Sequence, residues 1–280
     1  QKIVAQHWKP YMEYTCISSE DATCYESRIS HPTPVKLVWD CCHKTWLSYN
    51  KIRKQLKQRS TRCNYEDRKK EFLSYQKSKK KTKRGEKKLL KKLLKFLLRL
   101  LNLHKELAQN KQVKLSIRQA LELHLIVRVY EQQHSKVYGR VEQIKDRIVS
   151  LSKPYIRPIV RGKETKAVEF GAKVNKLQID GISFIEHFSY DAFNEGTRLQ
   201  KCIALHQGLF GKCTHHSADK IYATNANRKY CTGKKIVTNF EPKGKQKAQH
   251  IEQHKAMRAV LNKERGVRLE GSFGNDKNHY

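Results

Sequence analysis

Asp219 is the one acidic side chain between Glu195 and Glu241, a stretch that also contains eight Lys or Arg residues. Two further carboxylates, Asp21 and Glu270, lie 198 residues before it and 51 residues after it. Carboxylates are ligands that Mg²⁺ prefers, and Lys and Arg bind the phosphates of nucleic acids. Three such acids in a strongly basic chain predict a metal-dependent enzyme that acts on nucleic acid.

The spacing of these acids leaves a second interpretation open. Separations of 198 and 51 residues are not diagnostic of any site. Each acid could instead be an ordinary surface carboxylate paired with a nearby Lys, an interaction that contributes little to stability. For the first acid, Glu20 and Glu26 are close competitors of Asp21.

Five blocks of sequence around these positions carry a resemblance to a known family. In chain order they are Glu-Asp-Ala-Thr-Cys-Tyr-Glu at 20–26 with His-Pro-Thr at 31–33, Arg-Gly-Lys-Glu at 161–164, Val-Glu-Phe-Gly-Ala-Lys at 168–173, Ala-Asp-Lys-Ile-Tyr at 218–222, and 265–280 with Leu-Glu-Gly-Ser-Phe-Gly. Their order is far more specific than any single block. Together they resemble a bacterial insertion-sequence transposase of the DDE type, from about residue 14 to the end.

The resemblance implies a ribonuclease-H-like catalytic core in which Asp21, Asp219 and Glu270 are the first, second and third metal-binding acids. They would hold Mg²⁺ or Mn²⁺. Lys277 stands where related transposases have a Lys that contacts a DNA phosphate, and Arg265 or Arg268 stands where they have an Arg. The chain departs from the family pattern at Pro34, where an Asp is common, and Gly266 and Gly271 weaken a helix around the third acid.

Composition favours a polyanionic partner, because 59 Lys and Arg residues face 26 Asp and Glu residues and the formal net charge is +33. RNA-binding proteins share this balance. The resemblance implies double-stranded DNA, bound by a homodimer. No signal peptide or long apolar run is present, and eight cysteines without Cys-x-x-Cys spacing favour reduced thiols. We therefore expect a cytoplasmic protein that does not bind membranes, and the resemblance implies a bacterial one that is nucleoid-associated when bound to DNA.

The pattern of elements predicts a mixed α/β core with one long interruption. Residues 1–38 are expected to hold the first strand and acid, with 11–38 extended because Pro32 and Pro34 disfavour a helix. Residues 39–150 read as a basic helical insertion, and 151–280 as the rest of the core. In that last part we predict an Asp-Gly hairpin at 179–182, helices at 195–209, 225–231 and 248–263, and strands at 212–218 and 235–240.

Three further groups of residues have two interpretations each. Arg161, Lys163 and Lys173 could hold the DNA backbone or be solvated strand residues. The Lys/Leu repeat at 87–101 could bind DNA through its Lys face, or merely pack through a Leu face; the predicted packed face comprises Leu89, Leu90, Leu93, Leu94, Leu97, Leu98 and Leu101. A zinc site at Cys213 and its neighbouring histidines is disfavoured because the spacing matches no standard finger.

The resemblance implies a DNA transposase that hydrolyses phosphodiesters at element ends and then transfers strands. The alternatives are a non-catalytic nucleic-acid-binding protein, such as a decayed transposase, or a nuclease on the same core. The chain begins at Gln1 rather than Met and stops soon after Glu270, so we expect a portion of such an enzyme, truncated at both ends.

Overall fold

The computed structural model describes residues 1–59, 61–110, 113–139, 141–160, 167–244 and 248–279. The chain forms two compact units. Unit 1 combines Gln1–Ser27 with Pro158–Tyr280, and unit 2 is Arg28–Arg157. Unit 1 contains a mixed sheet with helices packed against it, so the predicted α/β class is confirmed.

The sheet of unit 1 has antiparallel and parallel parts. β3 pairs antiparallel with β1 on one side and with β2 and β4 on the other, while β5 and β6 continue the sheet beyond β1 as parallel strands. The order is therefore β2-β3-β1-β5-β6, with β4 also on β3. The strands are β1 (Ile17–Glu26), β2 (Pro158–Val160), β3 (Val168–Ile179), β4 (Ile182–Ser189), β5 (His215–Ser217) and β6 (Val237–Thr238).

The β3–β4 hairpin turns at Asp180 and Gly181, whose φ angles of 45° and 84° both lie in the left-handed region. An Asp-Gly pair accepts this geometry, and the predicted hairpin is confirmed. Gly171 on β3 meets a different constraint, because a Cβ there would lie 1.9 Å from the carbonyl oxygen of Tyr25. The backbone that approaches Gly171 closely is thus the neighbouring strand β1.

Helices cover the sheet of unit 1, and six residues between two of them form a π-helical segment, Arg265–Glu270. Short 3-10 turns occur at Lys9–Tyr11, Glu195–Thr197 and Lys220–Tyr222. The predicted helices are present with modest shifts at their ends, and the strands at 212–218 and 235–240 are shorter than predicted. The helices are α1 (Lys2–Trp8), α6 (Leu199–Phe210), α7 (Asn225–Gly233), α8 (Ala248–Glu264) and α9 (Gly271–His279).

Unit 2 contains four helices and no strand among its described residues, as predicted for the insertion, but the described residues after Tyr138 are not helical. It contains α2 (Pro34–Gln55), α3 (Tyr65–Lys77), α4 (Lys83–Asn110) and α5 (Ile117–Tyr138). The expectation that 34–38 is extended was wrong. Pro34 occupies the first position of α2, where its missing N–H has no helical partner to lose, and the Thr33 side chain caps the helix by accepting from the N–H of Lys36.

α4 packs through an apolar face, as the Lys/Leu repeat predicts, but that face is rotated from the predicted one. Leu98 is 42% exposed, whereas Phe96 and Leu100 are buried. At 100° per residue, a strict seven-residue reading drifts away from the true helical face. The buried set on α4 comprises Leu89, Leu90, Leu93, Leu94, Phe96, Leu97, Leu100 and Leu107.

Candidate active site

Asp21 lies in the middle of β1, the central strand of the sheet. Side chains alternate between the two faces of a strand, so Ser19, Asp21 and Thr23 share one face. The Asp21 carboxylate accepts a 2.7 Å hydrogen bond from the N–H of Ala22, and its side chain is only 17% exposed. The first predicted acid is therefore held rigidly on a regular element.

Asp219 lies just after β5, and the register of β5 against β1 places it beside Asp21. β5 runs parallel to β1, with Ile17 opposite His215 and Ser19 opposite Ser217. Each of these pairs is 198 residues apart, the same separation as Asp21 and Asp219. The separation of Asp21 and Asp219, which is not diagnostic in the sequence, therefore equals the offset between paired residues of the parallel strands β1 and β5.

Glu270 reaches the same place through the π-helical segment. In an α-helix, residues five apart point about 140° away from each other, so Arg265 and Glu270 would not meet. A π-helix bonds residue i to i+5 and places these two side chains one turn apart. The Nη2 of Arg265 lies 3.1 Å from Oε1 of Glu270. Such segments are frequent at functional sites.

The Arg265 guanidinium joins all three acids. Its Nη1 is 3.3 Å from Oδ2 of Asp21, and its Nη2 is 3.0 Å from Oδ1 of Asp219 as well as 3.1 Å from Glu270. Arg265 and Asp21 are largely buried, while Asp219 and Glu270 are each 53% exposed. We call Asp21, Asp219 and Glu270 the acid cluster.

Burial shapes the electrostatics of the acid cluster. Loss of water around Asp21 raises the pKa of its carboxyl to about 6, despite the hydrogen bond from Ala22. The negative charge of Asp219 contributes to this rise in pKa, whereas Arg265 opposes it. The Arg265 guanidinium therefore favours the charged form of Asp21.

Helix α9 continues beyond Glu270 and docks on the sheet, although Gly271 begins it. The Nζ of Lys277 donates to Oγ1 of Thr23 at 2.7 Å, so it lies beside the acid-bearing face of β1. The buried Lys176 on β3 pairs with Asp276 at 2.7 Å, and the Tyr25 hydroxyl donates to the same carboxylate. Burial alone would raise the pKa of Asp276, but these hydrogen bonds hold it below its usual value. The docking fixes the helical side of the acid cluster.

Of the other residues predicted to bind DNA, Lys173 and Arg268 lie within the described part of the chain. Arg161 and Lys163 are outside the described residues. Lys173 pairs with Glu195 at 2.7 Å and donates to the carbonyl of Phe193. Arg268 turns away from the acid cluster and pairs with Asp180 and Glu264.

Glu20, a competitor for the first acid, lies on the opposite face of β1 and is fully buried. Its carboxylate is 3.1 Å from Nε2 of His216, whose Nδ1 is 2.9 Å from the Ser18 hydroxyl. The other competitor, Glu26, is at the exposed end of β1. Of the three, Asp21 alone contacts Arg265 among the described residues. Strand alternation is the sequence signal that separates Glu20 from Asp21.

A broad cleft of about 730 Å³ opens beside Asp219. It lies between the loop that follows β6 and helix α8. Its lining is rich in cations and includes Lys220, Arg228, Lys255, Arg258 and Arg265. These basic side chains, other than Arg265, were not singled out from the sequence, because isolated Lys and Arg residues are common throughout this chain.

The chemistry of the acid cluster fits a hard divalent cation. Three carboxylates with a shared counter-cation supply the oxygen ligands and the negative charge that Mg²⁺ or Mn²⁺ requires. As described, the acids surround the guanidinium, and no group of three or more His, Cys, Asp or Glu side chains within the described ranges is arranged as a metal site. Near β5, burial raises the pKa of Cys213 to about 11 and that of Cys231 to about 12, which disfavours the thiolate that zinc needs.

None of the helices in the described part of the chain combines the length and apolar character needed to cross a membrane. Comparisons with protein-family models, with curated proteins and with solved structures found no match to this chain.

Proposed function

We propose that the chain is the catalytic-core portion of a DDE transposase, with a ribonuclease-H-like core that cleaves DNA phosphodiesters and transfers strands. The observation that carries the proposal is the meeting of Asp21, Asp219 and Glu270 around one guanidinium, from three separate places in the sequence. Three unrelated surface carboxylates would not be expected to share a cation at the centre of a sheet.

The sheet supports this assignment. The first acid lies on the central strand, the second follows the adjacent parallel strand, and the third lies on the helical layer against them. Carboxylates placed within a strand, just after a strand and on a docked helical segment are held in fixed relative positions, which favours in-line phosphoryl transfer.

Each group in the site has a role in the proposed chemistry. When bound, Mg²⁺ or Mn²⁺ would activate the attacking oxygen and neutralise charge on the leaving one. The acid cluster would hold it through carboxylate oxygens. The cations of the cleft beside Asp219, including Lys255 and Arg258, would hold the DNA backbone by charge. Lys277, beside Thr23, is placed to reach a phosphate near the acids.

One observation favours a second candidate, a nucleic-acid-binding protein without catalysis. Arg265 gives each of the three acids a cationic partner without any metal, so a decayed copy could keep the same contacts for structure alone. A nuclease on the same core would share the cleavage chemistry but would not join the freed 3′-hydroxyl to target DNA.

The test is nicking of supercoiled DNA in Mn²⁺ by the parent chain and by the Asp219→Asn and Glu270→Gln variants. We expect nicking by the parent and none by either variant, with duplex binding retained or strengthened because negative charge near phosphate is removed. Glu264→Gln is the matched control, since Glu264 is an exposed carboxylate that pairs with Arg268 rather than with Arg265.

The outcomes separate the candidates. Binding without nicking by the parent would favour the non-catalytic protein. Nicking that survives both substitutions would remove the acid cluster from the chemistry. Covalent joining of a labelled DNA end to a target plasmid would distinguish a transposase from a nuclease.

A further inference from the structure

The positive charge of the chain is concentrated in unit 2. Residues 28–157 contain 35 of the 59 Lys and Arg residues but only ten of the 26 Asp and Glu residues, so this unit carries +25 of the formal +33. The acid cluster and its cleft belong to unit 1. The charge of unit 2 is therefore not explained by the catalytic site.

An open groove of about 650 Å³ lies where α3 is followed by α4. We call it the α3–α4 groove. Lysines line it from three directions: Lys70 from α3, Lys80 and Lys81 from the connecting residues, and Lys88 and Lys92 from α4. Lys88 and Lys92 are one helical turn apart, so they project from the same face. All five are exposed.

The balance of charge in the α3–α4 groove is strongly positive. Glu71 is the one acid among the described residues that line it. Its carboxylate is already engaged by Arg68 and by Lys92, whose Nζ is 2.9 Å away. The single negative charge is thus matched within the protein, and the remaining lysines repel one another unless an anion lies between them.

The shape and chemistry of the groove indicate which anion. Tyr75 is the one aromatic side chain among the described lining residues, and it is half-buried with Lys81 Nζ 5.7 Å from its ring centre. Single-stranded nucleic acids are bound by stacking bases on exposed aromatic rings, whereas the one described ring in this lining is half-buried with Lys81 over its face. Flexible lysines contact phosphates as point charges and read no base.

We propose that the α3–α4 groove binds the sugar-phosphate backbone of double-stranded DNA, as a site separate from the acid cluster. This goes beyond the proposed cleavage, because it assigns duplex binding to unit 2 and requires neither the acids nor a metal. The groove would add affinity without sequence preference.

The test measures binding of a random-sequence 30-base-pair duplex by the full chain in EDTA over a range of salt concentrations. Lys80, Lys81 and Lys88 are changed together to Gln. Each phosphate contact contributes about 0.9 to the slope of log affinity against log salt, so we expect the slope to become shallower by about 2 to 3. Affinity at low salt should fall by about tenfold or more.

The matched control changes Lys51, Lys54 and Lys105 to Gln, which removes the same charge from exposed positions on α2 and α4 outside the groove. We expect a much smaller change in slope for this variant. Thermal unfolding of both triple variants checks that the fold is kept, which is expected because all six side chains are exposed.

Equal loss of affinity and slope in the groove and control variants would overturn the proposal, since general charge would then account for binding. Stronger competition by single-stranded DNA, by RNA or by anionic lipid vesicles than by duplex DNA would also overturn it. Because binding is measured in EDTA, where no metal-dependent cleavage occurs, failure of the cleavage proposal is read separately.

Discussion

Replacement of Arg265 by Gln tests whether one guanidinium holds the acid cluster together. Arg265 and Asp21 are largely buried, and a hydrogen bond between charged groups contributes about 1.5–3 kcal/mol. The contacts to Asp219 and Glu270 involve half-exposed carboxylates, so each is discounted to at most about 1 kcal/mol. The expected loss of stability is about 2–4 kcal/mol.

The assay is thermal unfolding in EDTA at pH 7.5. For a unit of this size, 1 kcal/mol corresponds to about 2–4 °C, so the transition of unit 1 should fall by about 4–16 °C. Without Arg265, the three carboxylates have lost their shared cation. Added Mg²⁺ should therefore stabilise Arg265→Gln more than it stabilises the parent.

Arg268→Gln is the matched control, because Arg268 lies on the same π-helical segment but is 46% exposed and pairs outside the acid cluster. Its loss should cost less than about 1 kcal/mol. If Arg265→Gln unfolds within a degree or two of this control in EDTA, the bridging contacts contribute little. The argument that the acids require a shared cation would then be refuted.

Two further predictions concern the cores of the two units. Burial, and then the nearby His216, lower the pKa of His206 to about 4, so the unfolded chain binds more protons between that pH and about 6.5. Stability should therefore fall as pH drops through this window, and His206→Leu should reduce that dependence in urea titrations at pH 4.5 and 7; an unchanged difference would contradict it. In unit 2, Leu97→Ala should cost about 2–5 kcal/mol because Leu97 is fully buried, whereas Leu98→Ala should cost under about 1 kcal/mol because Leu98 is 42% exposed. Similar losses in denaturant unfolding would contradict the observed packing of α4.

Local patterns in the sequence predicted much of the fold. The Asp-Gly turn, the helical run of unit 2 and the helices after residue 195 depend on neighbouring residues, so they are visible without tertiary information. Pro34 misled the prediction because the same residue that breaks a helix interior is favoured at its first position. The predicted face of α4 was rotated from the buried one because only Leu residues were counted, whereas Phe96 is buried as well.

The candidate site was only partly visible in the sequence. The three acids stood out because they are isolated among basic residues or lie within family-like blocks. Arg265, the cation that the three acids share, did not stand out in the sequence. Its contact with Glu270 depends on a π-helical turn that helix propensity does not reveal. Lys173 and Arg268 remain predicted phosphate contacts, but their ion pairs with Glu195 and Asp180 could not be foreseen, because these acids are far away in the sequence.

The shared register of β1 and β5 has a consequence for how this chain tolerates changes in length. Residues 28–157 lie between the two strands in the sequence. The position of Asp219 relative to Asp21 is nevertheless set by the pairing of Ile17 with His215. Loops of unit 2 could gain or lose residues without changing that pairing. Deletion of a single residue within β5 would instead turn its following side chains to the other face of the sheet. The number of residues between Asp21 and Asp219 can therefore change, whereas an insertion or deletion within the paired parts of β1 and β5 would change the register.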